Sequence, residues 1–215
     1  MSDACHFLHH ALTHLPRFRR EDLSSVPKNG IYVLFEKGEV GHDVERIVRI
    51  GTHTGQDNLA VRIREHLYTP NKDRSIFRKH IGRCLLAADP FLAQWQLDLT
   101  TRAARTAFAH TLDKDRLKDV ENQVTQYMVN SFSFCVLQFD KQADRLLYEQ
   151  RLLSTVFNCR DCGPSEGWLG RAHPSSELMR RSGLWNVQGL RGAVLSVEEA
   201  TGIIELGANR PSLVG

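Results

Sequence analysis

The chain has 215 residues, and its 28 lysines and arginines against 25 aspartates and glutamates give a formal net charge of +3 at pH 7. An apolar fraction of 41% and a charged fraction of 25% are typical of a globular protein, and no apolar run approaches the roughly 20 residues that cross a bilayer. These values argue against a membrane protein. They permit nucleic-acid binding without requiring it, so any such site must come from local clustering of cations.

The N-terminal sequence lacks the basic start and the continuous apolar core of a signal peptide. The five cysteines are an odd number with one close pair, which does not suggest a disulfide framework. Together these features predict a reducing, cytoplasmic location and no membrane association.

The first predicted element is a short helix over residues 3–15, and Pro16 and Pro27 bracket the basic connector that follows it. Apolar residues form one stripe of this helix, and four histidines occupy the remainder of its surface. Metal binding by His6 and His10 is one interpretation of that pattern, and a solvated helix face is the alternative.

Residues 29–66 predict a strand, a connection, a second strand over 45–50, a tight turn and a helix. On the helix, Arg62 and His66 are four residues apart and therefore share a face. The first strand alternates, with successive side chains directed to opposite sides. One side carries Ile31, Val33 and Phe35, and the other carries Tyr32 and Leu34.

Three motifs in this stretch resemble the signature of the GIY-YIG nucleases. They are Gly30-Ile31-Tyr32, Arg49-Ile50-Gly51, and Leu59-x-x-Arg62-x-x-x-His66. The first tripeptide is intact, whereas the second has Arg49 where the family usually has tyrosine. The order of the motifs and their strand–strand–helix context carry the resemblance, because an isolated Gly-Ile-Tyr occurs in any strand. The Arg-Ile-Gly-Thr-His sequence also resembles an uncharacterised bacterial branch that keeps the arginine.

A helix is predicted over 75–86, followed by two helices between 90 and 131 that divide near 110–113. In the helix over 75–86, we expect the apolar stripe to include Ile76 and Leu85. We expect the opposite face to be exposed, with small residues that let a phosphate backbone approach the cations. A plain solvated face is the alternative. His80 lies on the apolar side and is predicted to be a core histidine. The cations are Arg78, Lys79 and Arg83, and the small residues are Ser75 and Gly82.

The run over 133–139 is strongly apolar and predicts a third strand at the centre of the sheet. On the helix predicted over 142–157, Glu149 falls near the middle of the apolar stripe, where a carboxylate is costly unless it is paired or binds a cation. Glu121, at the edge of an earlier stripe, is the rival carboxylate. The predicted stripe comprises Leu146, Leu152, Leu153, Val156 and Phe157.

The family carries its metal-binding glutamate on a helix after the third strand, so the resemblance implies this role for Glu149. It also has an asparagine shortly after that helix, for which Asn158 is a weaker match. Cys159 and Cys162 form one C-x-x-C, which is half of a zinc site. Because His173 is the only later histidine, local packing and free thiols remain alternative interpretations.

Near the C-terminus we predict a short helix ended by Gly183, with Trp185 as its anchor. Ser196 and Glu199 form a capping box that opens a last helix, which stops at Gly207.

These elements predict an α+β fold in which helices flank a small three-stranded antiparallel sheet. The predicted organisation is an N-terminal helical extension over 1–28, a nuclease domain over 29–158 and a C-terminal extension over 159–215. A helical insertion is expected at about 70–130.

The resemblance implies a divalent-metal-dependent endonuclease that hydrolyses phosphodiester bonds in DNA. Tyr32 would position or deprotonate the attacking water, Arg62 would hold the phosphate, and Glu149 would bind Mg²⁺ or Mn²⁺ near the leaving oxygen. His66 could relay the proton. Arg49 could act on the phosphate or on the tyrosine, or it could mark a branch without activity. The expected nucleic-acid contacts are His53, Arg78, Lys79 and Arg83.

Two other function classes remain open at this stage. One is a catalytically inactive nucleic-acid-binding module on the same fold, and the other is a small zinc-stabilised interaction protein. The sequence does not distinguish DNA from RNA, and cutting both strands of a duplex would usually require a dimer or two binding events.

Overall fold

The computed structural model describes residues 2–208, and their strands form one antiparallel sheet in the order β2-β1-β3. The strands are β1 (Ile31–Gly41), β2 (Val44–Gly51) and β3 (Phe132–Leu137). The predicted α+β fold with three strands is confirmed. The central position predicted for the third strand is wrong, because β1 pairs with both of the others. A continuous apolar run indicates that both faces of a strand are buried, but it does not indicate that the strand is central. β3 is covered on both faces although it lies at one side of this sheet.

The predicted helix over 142–157 is confirmed, whereas the first of the two helices predicted between 90 and 131 divides into two short helices, α4 and α5. The capping box is also confirmed, since Ser196 and Glu199 exchange backbone-to-side-chain hydrogen bonds. Within residues 2–208 no helix is long and apolar enough to cross a membrane. The helices are α1 (Ser2–Thr13), α2 (Leu59–Leu67), α3 (Ile76–Leu85), α4 (Leu92–Trp95), α5 (Arg102–Ala107), α6 (Lys114–Ser131), α7 (Gln142–Phe157), α8 (Glu177–Ser182) and α9 (Val197–Ala208).

Two apolar cores lie against opposite faces of the sheet, as the alternation in β1 predicts. Tyr32 and Leu34 belong to the core with α2, α3 and α6. The other core joins Ile31, Val33 and Phe35 to α1, α7 and α9. Each large apolar side chain buried in this way contributes about 1.5–3 kcal/mol. The helices of both terminal segments therefore pack directly on the sheet, and the division of the chain at residues 28 and 158 stays a prediction.

The β1–β2 hairpin has a tight turn at one end and a bulge toward the other. His42 and Asp43 form the turn, and their positive φ angles of 54° and 65° fit a two-residue type I′ connection. Where the register shifts, Leu34 pairs with Arg49 but the next residue of β1 pairs with Ile47. Val48 is therefore an extra residue, which directs the arginine to the same face as Tyr32.

Glu36 fastens the C-terminal segment to the sheet. Its buried carboxylate accepts hydrogen bonds from the indole nitrogens of Trp168 (2.8 Å) and Trp185 (2.9 Å) and from the hydroxyl of Tyr127. Burial raises the pKa of Glu36, and the three hydrogen bonds oppose that rise. The backbone of Trp185 also donates to Val48 (2.8 Å), and its side chain is fully buried. The anchoring role predicted for this tryptophan is confirmed.

Candidate active site

A cleft of about 560 Å³ opens between β1, β2, α2, α7 and the segment after α8. A second depression of about 590 Å³ adjoins it and shares Thr52, Arg62 and Glu149 with it. His53 lines that second depression and is otherwise buried. The structure thus brings all the residues predicted as catalytic to a single cleft, which is lined by Tyr32, Arg49, Arg62, His66 and Glu149.

The two glycines of the motifs are required by close contacts around the tyrosine. A Cβ atom on Gly51 would lie 2.3 Å from the hydroxyl oxygen of Tyr32, and one on Gly30 would lie 2.5 Å from the carbonyl oxygen of Leu137. No side chain fits at either distance, so these positions accept only glycine. Gly51 leaves room for the phenol of Tyr32 to cross β2 to the cleft, and Gly30 lets β1 pair closely with β3.

His66 is buried beside the tyrosine, and its ring centroid is 6.0 Å from that of Tyr32. Its Nδ1 is hydrogen-bonded to the hydroxyl of Ser75 at 2.6 Å. Burial lowers the pKa of His66 well below 6.5, and the positive charges of Arg49 and Arg62 add to this effect. The imidazole is therefore neutral at neutral pH.

Arg49 is a fixed cation inside the cleft. Its Nη1 donates to the carbonyl oxygen of Trp185 at 3.1 Å, and its guanidinium carbon is 4.8 Å from the ring centroid of Phe77. The side chain is only 8% exposed. Its charge lowers the pKa of both His66 and Glu149. The position that usually carries tyrosine in the family thus supplies a pre-oriented positive charge here.

Arg62 lies at the outer edge of the cleft and keeps contact with solvent. Its Nη1 donates to the carboxylate of Glu65 (3.2 Å) and to the carbonyl oxygen of Arg74 (3.2 Å). The side chain is 35% exposed, so an anionic ligand can reach the guanidinium without opening the fold.

Glu149 is partly buried and faces the cleft from α7. Burial raises the pKa of its carboxyl group, while the charge of Arg49 and a backbone hydrogen bond from Thr52 oppose the rise. The prediction that it occupies the middle of a buried stripe is wrong, since Leu146 on the same side is 42% exposed and lines the cleft. The buried stripe of α7 lies farther along the helix, at Leu152, Leu153 and Val156.

The rival carboxylate, Glu121, is committed to a buried ion pair away from the cleft. It accepts from the backbone of Lys72 and from the Nη2 (2.7 Å) and Nε (3.2 Å) atoms of Arg78. Arg78 is 0% exposed. The exposed position predicted for this arginine is therefore wrong, and its guanidinium is not available to a phosphate backbone. Its partner lies 43 residues away in sequence, which the helical pattern of α3 does not reveal.

The remaining features of α3 also serve packing. Lys79 is 3.0 Å from the carboxylate of Asp73, and Arg83 is partly buried 3.3 Å from Nδ1 of His80. Gly82, predicted to let a phosphate approach, instead accommodates Trp95, whose ring would lie 2.2 Å from a Cβ atom there. Nucleic-acid contact by the lysine and by Arg83 stays a prediction. Contrary to the predicted stripe, Ile76 and Leu85 are exposed.

His80 is a core histidine, as predicted. His173 accepts backbone hydrogen bonds at Nδ1 from Ser175 and Ser176, so its Nε2 donates to Nδ1 of His80 at 2.9 Å. Asn158, the weaker match to the family, donates to the carbonyl oxygen of Ser154 (2.8 Å) at the end of α7. It is not among the residues that line the cleft.

The segment after α8 forms one wall of the cleft, and no pattern in the sequence predicts this position for it. Asn186 pairs with Ile50 like a neighbouring strand, accepting from its backbone N–H (3.1 Å) and donating to its carbonyl oxygen (2.8 Å). These partners are 136 residues apart. The other lining residues that the sequence does not single out are Gln150, Val187, Gln188 and Gly189.

The donor set of the cleft suits a hard divalent cation. Mg²⁺ is usually held by one or two carboxylates together with waters and phosphate oxygens, and Glu149 supplies one carboxylate at the place where a phosphate would meet Arg49 and Arg62. A softer ion would require sulfur or several imidazoles. The residues present therefore fit Mg²⁺ or Mn²⁺.

The glycine-dependent placement of the tyrosine and the mixed Tyr/Arg/His/Glu cleft bring the three sequence motifs together at one site. The sequence model of the GIY-YIG domain matches residues 6–195, and the chain belongs to that family. Members of the family are generally endonucleases. No curated protein and no solved structure shows a significant match to the chain.

Proposed function

We propose that this protein is a divalent-metal-dependent endonuclease that hydrolyses phosphodiester bonds in DNA. The observation that carries the proposal is the convergence of Tyr32, Arg62 and Glu149, from β1, α2 and α7, on one cleft. Buried charges elsewhere in the fold have several close partners: Arg78 is paired with Glu121, and Glu36 accepts from Trp168 and Trp185. Burial of Glu149 without a comparably close ion pair instead favours a role in binding a cation.

The tyrosine and the histidine would handle the attacking water. The hydroxyl of Tyr32 would orient the water or accept its proton, and the neutral imidazole of His66 would take that proton onward. Because Nδ1 of the histidine is held by Ser75, Nε2 is the nitrogen left for proton exchange. General acid–base help of this kind contributes typically 10²- to 10⁴-fold to a rate.

The two arginines would bind the scissile phosphate. A guanidinium presents a planar fork of donors that matches phosphate oxygens. Arg49, held by the Trp185 carbonyl, would stabilise the charge that develops on those oxygens without reorganising. Arg62, which is more exposed, would meet the backbone of the incoming strand.

The carboxylate of Glu149 would hold Mg²⁺ or Mn²⁺ at the leaving side of the phosphate. When bound, such an ion supplies positive charge that stabilises the leaving alkoxide. The Thr52 backbone bond and the Arg49 charge favour the ionised carboxylate and oppose burial, which still raises the pKa of Glu149.

The wider biological setting follows from the same proposal. Thr52, His53 and the exposed face around Arg62 line the depression beside the cleft, which is where the DNA strand would continue. The described residues form one cleft of this kind, so cutting both strands would use a dimer or two successive binding events. The free state of all five cysteines supports a cytoplasmic location.

The proposal is tested by incubating the purified chain with supercoiled plasmid and Mg²⁺. We expect open-circular or linear product, no product when EDTA replaces the metal, and recovery of cleavage with Mn²⁺. A single-stranded DNA and an RNA of matched sequence in parallel reactions decide the substrate class.

Two outcomes would overturn the proposal. If none of these substrates is cleaved but DNA binds with a salt-dependent affinity, the chain is a binding module on the same fold. If RNA alone is cut, the DNA assignment fails while the hydrolytic one stands.

The cleavage rate is expected to fall as the pH is lowered below neutral. Burial raises the pKa of Glu149, so its carboxylate takes up a proton, and loses its affinity for the metal, at a higher pH than the usual value of about 4.3. The pKa of His66 is shifted in the opposite direction, so the histidine stays neutral over the same range. Single-turnover rates from about pH 5 to about pH 8 at saturating Mg²⁺ measure this. A rate that rises as the pH is lowered would contradict it.

A further inference from the structure

A second cluster of metal-binding side chains lies beside the turn of the β1–β2 hairpin, outside the cleft that contains the catalytic residues. The Sγ atoms of Cys5, Cys159 and Cys162 and a ring nitrogen of His42 all lie within 4.8 Å of one another. None of these residues lines the cleft that contains Glu149. We propose that these four side chains bind one structural zinc ion.

Two of the six separations between the donor atoms match edges of a zinc tetrahedron, and all six are within 4.8 Å. With Zn–S bonds of about 2.3 Å and a Zn–N bond of about 2.05 Å, a tetrahedral site has S···S edges of about 3.8 Å and S···N edges of about 3.5 Å. The Sγ atoms of Cys5 and Cys162 are 3.6 Å apart, and the Sγ of Cys159 is 3.4 Å from Nε2 of His42. Three thiolates and one imidazole form a closed ligand set typical of structural zinc.

Three separate parts of the fold supply the ligands. Cys5 lies on α1, His42 occupies the two-residue turn of the β1–β2 hairpin, and the C-x-x-C follows the end of α7. Cys5 and Cys162 are 157 residues apart in sequence. Gly41 makes this approach possible, since a Cβ atom there would lie 3.0 Å from the Cβ of Cys162.

Neighbouring groups hold the backbone of two ligand residues and the sulfur of a third in place. His9 accepts a backbone hydrogen bond from Ile47 at Nε2, so its Nδ1–H is the donor to the carbonyl oxygen of Cys5 (2.9 Å), 3.5 Å from the sulfur. His10 donates from Nε2 to the carbonyl oxygen of His42 (2.9 Å). The backbone N–H of Asp161 donates to the sulfur of Cys159 (3.5 Å), which stabilises a thiolate.

A disulfide and simple thiol packing account for this geometry less well. The Sγ atoms of Cys5 and Cys162 are 3.6 Å apart, which is far from the 2.05 Å of a disulfide bond. Buried cysteines that only fill space behave as small apolar side chains, as Cys84 and Cys135 do in the two cores. A partly exposed imidazole nitrogen directed at three thiols is instead a coordination pattern.

The test is the zinc content of the full-length protein, purified under reducing conditions without chelator from medium containing zinc. We expect about one zinc per chain, and thiolate-to-cobalt absorption when Co²⁺ replaces it. His42→Ala and Cys159→Ser, at partly exposed positions, should each reduce the bound zinc at least about tenfold in competition with a chelator. Chelation should lower the melting temperature of the wild type by about 5 °C or more.

Two controls separate this site from other thiols and from the catalytic metal. Cys84→Ala removes a buried cysteine elsewhere and should retain the zinc, as should Glu149→Gln. The proposal is overturned if the wild type contains no zinc and gives no cobalt spectrum, if both ligand variants retain zinc, or if mass mapping finds a native disulfide between Cys5 and Cys162.

Discussion

Replacing Glu149 with glutamine is expected to lower the Mg²⁺-dependent cleavage rate by about 10²- to 10³-fold. Glutamine keeps the size of the side chain but cannot supply the negative charge that holds the metal. The rate is measured on supercoiled plasmid at a fixed Mg²⁺ concentration and again over a Mg²⁺ titration. The exposed Glu166 on the loop before Trp168 provides the matched control, because Glu166→Gln removes the same charge and should leave the rate unchanged.

The same variant should be at least as stable as the wild type. A carboxyl group whose pKa is raised by folding is protonated more readily in the folded state, so its ionised form destabilises the fold at neutral pH. Burial raises the pKa of Glu149 in this way, and glutamine removes that cost. An equal or higher melting temperature together with lost activity marks a carboxylate kept for function. Cleavage at the wild-type rate would remove the metal-binding role from this residue.

Replacing Arg62 with alanine is the second large expected effect, a loss of about 10²-fold or more in kcat/KM. The guanidinium has a direct path to the cleft, and the proposed mechanism assigns it the phosphate of the bound strand. Arg64 lies on the same helix and is exposed, so Arg64→Ala is the matched control for charge. Arg62→Lys should restore part of the activity, because a lysine keeps the charge without the planar fork.

Stability distinguishes this effect from structural damage. The hydrogen bonds of Arg62 to Glu65 and to the Arg74 carbonyl are partly solvent-exposed, and such a surface pair contributes about 0–1 kcal/mol. The melting temperature of Arg62→Ala should therefore fall by no more than about 4 °C. If Arg64→Ala loses as much activity as Arg62→Ala, then the effect reports the overall charge of the helix and the specific role is wrong.

Arg49 is the residue at which the cleft of this chain departs from the usual family pattern. The residue stands where the family usually has tyrosine, and the fold holds its guanidinium between the Trp185 carbonyl and the Phe77 ring. Its charge acts on Glu149 and on His66 from inside the cleft. The substitution therefore leaves an ordered polar group in the site, and activity of the wild type would make this arginine part of the working arrangement.

The most local features were predictable from the sequence. The alternation of β1 sends Tyr32 and Leu34 to one core and Ile31, Val33 and Phe35 to the other, as the residue pattern indicates. The bounds of α7 and the capping box of α9 also follow from neighbouring residues. The resemblance to the family singled out the motif residues, which line one cleft in the fold. Their catalytic roles stay predictions.

The features that the sequence misplaced depend on partners far along the chain. The residue pattern of α3 predicts that Arg78 is a surface cation, but the arginine is buried in an ion pair with the carboxylate of Glu121. The same pattern predicts that Gly82 lets a phosphate approach the helix, but the ring of Trp95 occupies the space next to this glycine. In both cases the residue pattern indicates which side chains the helix could expose. Which of them are buried depends on the other elements that pack against the helix.

The sequence by itself determined the fold class through its alternation and spacing, and its resemblance to the family singled out the polar residues of the cleft. Only the tertiary structure decided how Glu149 faces the cleft, how Trp185 holds Arg49, and that the lone C-x-x-C has partners in Cys5 and His42. Contacts across more than a hundred residues arise when two apolar faces pack on one sheet, and no local pattern encodes which distant side chains that packing brings together.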